Sequence, residues 1–79
     1  MTNKEKYTKT FIEALSIEKD KFKETIKYND VDEWDSIGHM TLMSALEDAF
    51  KISIETDDII DFSSYNEGIK ILKKYEVII

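Results

Sequence analysis

No cysteine occurs anywhere in this 79-residue chain, and that absence decides how it must hold itself together. Neither a disulfide nor a zinc–thiolate cluster is available as a staple. A chain this short makes one small domain, residues 1–79, held by apolar packing alone. Burying one Leu or Phe contributes about 1.5–3 kcal/mol, against an ordering cost of roughly 1.5 kcal/mol per residue. Little interior is left over for an enclosed active site. Proline is also absent and only two glycines occur, so nothing divides the chain into separate units.

The apolar residues recur with helical period in three places. In residues 4–16, Tyr7, Phe11, Ala14 and Leu15 share one side. A second helix is expected from Ser36 or Ile37 to about Phe50. At 100° per residue, His39, Leu42, Met43, Leu46, Ala49 and Phe50 form its core face. Ile37 falls almost opposite that face and Met40 at its border. A third long helix should start after Phe62-Ser63, with Ser64 and Glu67 spaced as a capping box and Tyr65, Gly68, Ile69, Leu72 and Tyr75 on one face. Between the last two, Thr56-Asp57-Asp58-Ile59-Ile60 reads as a single turn capped by Thr56. Residues 17–35 show no sustained period. Ile17, Phe22, Ile26, Val31 and Trp34 are spaced as anchors for a long connection laid across the helices, with room for a turn near Lys19–Lys23. The fold class expected is all-α, a small four-helix bundle.

Charge is unevenly distributed. Residues 30–61 hold ten acids against Lys51 alone, a local charge of −9, while seven acids and ten lysines elsewhere give +3. Phosphates of a nucleic acid would be repelled, and a basic protein surface would be attracted. Residues 1–10 carry no apolar segment of the signal-peptide type, and the longest apolar run, Val77-Ile78-Ile79, is too short to span a bilayer. A cytoplasmic monomer without membrane insertion is expected.

In the stretch Trp34-Asp35-Ser36-Ile37-Gly38-His39-Met40 the one chemically useful group is the Ser36 hydroxyl, expected in the open at a helix start and preceded by Asp35, a good N-cap. His39 follows one turn later, but a nucleophilic site also needs an orienting group and an oxyanion site, and neither is evident. No catalytic residue is assigned. Asp30, Asp32 and Asp35 lack the glycine and glutamate that a calcium loop requires at its sixth and twelfth positions, which here are Asp35 and Thr41. No metal site is assigned.

Asp35-Ser36-Ile37 before an amphipathic helix resembles the attachment site of acyl carrier proteins. Ala45-Leu46-Glu47-Asp48-Ala49-Phe50 resembles that family's second-helix ending. Ile52-x-Ile54 resembles the linker after it, and Asp57-Asp58-Ile59 the short acidic third helix. The resemblance covers nearly the whole chain. It implies a four-helix bundle of the acyl-carrier type with 4'-phosphopantetheine, taken from coenzyme A, attached to Ser36. It gives Asp35 a role in the motif beside its cap. The implied function is to carry an acyl thioester to partner enzymes, as a substrate of those enzymes rather than an enzyme. The implied partners are a phosphopantetheinyl transferase, a loading enzyme and a downstream transferase or synthase with basic docking surfaces. Ile37, Met40, Glu47 and Asp48 are the expected docking residues. Where many fatty-acid carriers place acids after the serine, this chain has Gly38, His39, Met40 and Thr41. In that respect it looks more like the specialised stand-alone carriers of modified-sugar, cell-surface polymer, amino-acid transfer or secondary-metabolite pathways. An aminoacyl, D-alanyl or peptidyl carrier uses the same chemistry, and an unmodified interaction module is the reading of another class.

Overall fold

The computed structural model describes residues 2–79 and is all-helical, with α1 at Asn3–Leu15, α2 at Ser36–Phe50, α3 at Thr56–Asp61 and α4 at Tyr65–Lys73. Each long helix starts where the chain offers a side-chain oxygen to orphan N–H groups. Thr2 accepts from Glu5 N–H and closes a full capping box. Asp35 accepts from Gly38 N–H, and Ser64 accepts from Glu67 N–H. At α4 the box is half made, because the Glu67 carboxylate turns to Lys70 instead. The N-cap position of α3 is Glu55 rather than the expected Thr56, which is the first helical residue, and no side chain caps it.

One core joins the helices. Tyr7 and Phe11 of α1, Leu42, Met43 and Leu46 of α2, and Tyr65, Ile71 and Leu72 of α4 are buried in it. α1 lies along α2. The centre is aromatic: the Phe11 ring meets Trp34 edge-on at 5.0 Å and Tyr65 at 5.6 Å. The two buried tyrosines satisfy their hydroxyls internally. Tyr7 Oη donates to the Tyr65 carbonyl at 2.8 Å, and Tyr65 Oη pairs with Thr8 Oγ1 at 2.8 Å. Burial pushes the Tyr7 phenol far above its ordinary range, with Tyr65 adding to the shift.

The long connection behaves as an anchored strap. Ile17, Ile26 and Trp34 are buried, and Phe22 and Val31 pack half-buried against the core. A 3₁₀ turn forms at Lys19–Lys21. Its backbone is also tied to the start of α4: Tyr28 N–H donates to Ser63 O at 2.9 Å and Tyr65 N–H to Ile26 O at 3.0 Å. These bonds form an isolated antiparallel bridge between Lys27 and Ser64.

Both glycines serve close approach rather than backbone freedom, since neither has positive φ. A Cβ on Gly68 would stand 2.2 Å from the Phe62 ring and from Tyr7 Oη. One on Gly38 would stand 2.0 Å from the Glu33 carbonyl oxygen, so Gly38 lets the connection close onto the first turn of α2.

Three details differ from the periodicity reading. Ile71 is buried although it falls outside the expected α4 face. α4 ends at Lys73, and 3₁₀-type bonds carry the chain to Glu76, whose φ of 66° turns it away, so Tyr75 lies beyond the helix. Phe50 is only half-buried, with Lys6 Nζ 5.1 Å from its ring centroid. Among the described residues no helix is long and apolar enough to cross a membrane.

Candidate functional site

The site is built where the strap ends and α2 begins. Trp34, fully buried, fixes the end of the strap. Asp35 follows in extended conformation, and its Oδ1 accepts from Gly38 N–H at 2.8 Å. Its backbone carbonyl accepts from His39 N–H. Ser36 is therefore the first residue of α2, exposed, at the positive end of a 15-residue helix. Asp35 caps the helix, and Ser36 is left facing solvent.

His39 is committed to the scaffold. Trp34 Nε1–H donates to its Nδ1 at 2.9 Å, so Nδ1 accepts and Nε2 carries the proton. Nε2–H then donates to the Ile59 carbonyl at 2.8 Å. The imidazole thus joins the strap, α2 and α3, and lies parallel to the indole with ring centroids 6.1 Å apart. Neither ring nitrogen is left to take a proton from Ser36. The sequence alone places His39 on the core face of α2; the bond that fixes its far nitrogen depends on Ile59, which lies 20 residues away.

Beside Ser36 runs a groove of about 310 Å³ between α2, α3 and the strap. Besides Ser36, it is lined by Tyr28, His39, Met40, Ile59, Ile60, Phe62 and Ser63. Its surroundings are apolar and open: Ile37 is 77% exposed, Ile60 73% and Met40 53%. Met40 and Ser36 share the groove, while Ile37 stands outside it. Ile60 and Tyr28 are not among the residues that the sequence singles out. A signal exists for Ile60, since a helix of one turn or so cannot bury two adjacent isoleucines on one side.

Glu47 and Asp48 lie three turns further along α2, roughly 16–18 Å from Ser36 by helical rise. Glu47 is half-buried and plays a structural part, because its Oε2 accepts from Ile54 N–H at 2.8 Å and so fastens to α2 the linker that leads on to α3. Asp48 is exposed and borders a shallow depression with Thr10 and Ala14 of α1. Reversing both charges therefore touches the fold as well as the surface, through Glu47.

The acids before Ser36 are not gathered for a cation. Asp30 Oδ2 accepts from Lys27 N–H within a local turn, Asp35 caps α2, and no group of three metal-binding side chains forms among the described residues. Among the described residues the only buried acid is Asp58 of α3. Hydrogen bonds from Lys74 and then Tyr75 hold its carboxyl below the usual range. The bond to Asp58 raises Lys74 in turn. Tyr75 is raised by loss of solvent and by its own bond to Asp58.

Comparison with known proteins returned no matching family model, no matching curated protein and no matching solved structure.

Proposed function

We propose that this chain is a carrier protein of the acyl-carrier type, with 4'-phosphopantetheine joined to the Ser36 hydroxyl. The observation that carries this reading is an exposed serine as the first residue of α2, with its helix already capped by the preceding aspartate. The residues present fit the group. A phosphodiester on Ser36 would sit at the positive end of α2, where unpaired helix N–H groups favour an anion. Asp35 keeps that end ordered. The apolar groove bordered by Ser36, Met40 and Ile59 offers shelter to an acyl chain carried on the arm. When bound, the group supplies the thiol that this cysteine-free chain lacks, and the cargo is held there as a thioester.

Ile37 and Met40 flank the attachment oxygen as apolar contacts for a partner enzyme, and the −9 charge of residues 30–61 favours partners with basic surfaces. A phosphopantetheinyl transferase is the first such partner, followed by loading and acceptor enzymes. The chain contributes presentation and leaves the bond-making to them.

The test is a thiol count. Incubation with coenzyme A and a broad-specificity phosphopantetheinyl transferase, followed by removal of small molecules, should take the protein from no titratable thiol to one per chain. A protein that stays without thiol under conditions that label a control carrier would favour the unmodified interaction module.

A further inference from the structure

α3 forms one wall of the groove beside Ser36, yet little apolar packing holds it. It has six residues, below the length at which a helix is stable by itself. Thr56, Asp57, Ile60 and Asp61 are exposed, Ile59 is half-buried, and only Asp58 is buried. Its N-terminus has no side-chain cap, and its last bond, Phe62 N–H to the Ile59 carbonyl, is long at 3.4 Å.

Its attachments are polar, and they come from two directions. On the α2 side, His39 Nε2–H donates to the Ile59 carbonyl. On the other side, one residue beyond α4 makes two bonds at once. Tyr75 Oη accepts from the N–H of Glu55, the N-cap residue of α3, at 3.0 Å and donates to the Asp58 carboxylate. The Lys74 ammonium completes the cluster on the other carboxylate oxygen. This explains the buried charge. Asp58 spends both oxygens on residues 16 and 17 positions away, so it ties α3 to the C-terminal segment. An apolar residue at its place could pack against α4 but could not accept from Tyr75 Oη, the group that also holds the Glu55 N–H.

We propose that Asp58, Lys74 and Tyr75 form a latch that positions α3 and thereby sets how far the groove beside Ser36 stands open. Polar bonds of this kind exchange with water at modest net cost, so α3 can part from the bundle while the aromatic core stays shut. The three are positioning residues: none lines the groove with Ser36. On the carrier reading this wall flanks the tethered cargo, but the latch itself acts whether or not Ser36 is modified.

The experiment uses the absence of native cysteine. Ile59→Cys places a single thiol on the groove side of α3. Its rate of reaction with 5,5'-dithiobis(2-nitrobenzoate) is compared with and without Tyr75→Phe, which removes both Tyr75 bonds and keeps the ring. Amide exchange at buried α1 positions such as Phe11, followed by NMR on the same proteins, reports opening of the whole core. The expected result is roughly a tenfold rise in thiol labelling, the scale of one or two lost hydrogen bonds, exceeding any rise in α1 exchange. Lys74→Met should act in the same direction. Unchanged labelling, or a rise no larger than that of α1 exchange, would overturn the latch, since the cluster would then serve only the stability of the whole fold. Neither result depends on Ser36 chemistry, so the attachment site stands or falls separately.

Discussion

Residues on α2 have opposite duties, and burial separates them. Leu46 is fully buried and Ile37 is 77% exposed. Leu46→Ala should cost about 2–5 kcal/mol, and Ile37→Ala should stay within roughly 0.5 kcal/mol of wild type. Ile37→Ala should nonetheless slow transfer onto Ser36, because an apolar contact beside the reacting hydroxyl is gone. A denaturation midpoint and a labelling rate for each variant check both statements. Phe50, half-buried under Lys6, should cost less on truncation than the ~3–5 kcal/mol of an enclosed phenylalanine. The Asp35–Ser36 arrangement was legible because a cap and the helix it starts lie within four residues. The Trp34–His39–Ile59 chain was not, since its far end is set by where α3 docks.

At the scale of elements, local signals reached the bounds of α1 and α2 to within a residue, because capping side chains and a 3.6-residue apolar period agree there. They also placed the short α3, expected at Thr56–Ile60 and found at Thr56–Asp61, and missed only its cap, which falls at Glu55. They failed at the end of α4, where Lys74 and Tyr75 leave the helical face to meet Asp58. Glu47 shows the same limit, since its bond to Ile54 N–H makes it part of the α2–α3 linker. Glu47→Lys should therefore destabilise by about 1–3 kcal/mol, the usual cost of stranding a hydrogen-bonding group. Asp48→Lys, changing an exposed site, should stay within roughly 0.5 kcal/mol, and urea denaturation of the two single variants separates them. The Asp58 cluster predicts a pH dependence. Folding lowers the Asp58 pKa, so its contribution is complete above the unfolded carboxyl value of ~3.9 and is lost as pH falls through the folded value. Folding raises Lys74 and Tyr75, so theirs is complete below ~10 and fades as pH rises through their folded values. Asp58→Asn should lower the melting temperature most between these limits. Its deficit should shrink as the pH is taken down through the carboxylate range, and a constant deficit would mean that the cluster does not titrate with folding.

For the molecule as a whole, the four-helix order was readable from periodicity and the candidate site from a serine at a helix start. What periodicity could not supply was the closure of the groove, which needs the strap, α2 and α3 in one place. Charge acts at this scale. With −9 concentrated in residues 30–61, transfer from a basic transferase should slow as salt rises, and Asp48→Lys should slow it at low salt without altering the melt. Rates insensitive to both would make the acidic half a solubilising surface. The central claim is the covalent role of Ser36, and its most direct measurement is intact-mass analysis after incubation with coenzyme A and a broad-specificity phosphopantetheinyl transferase. Fragmentation should then locate the added group. The wild type should gain one phosphopantetheine per chain, mapped to Ser36, while a folded Ser36→Ala variant gains none. Full labelling of Ser36→Ala, or an adduct mapped to another residue of the wild type, would contradict the assignment.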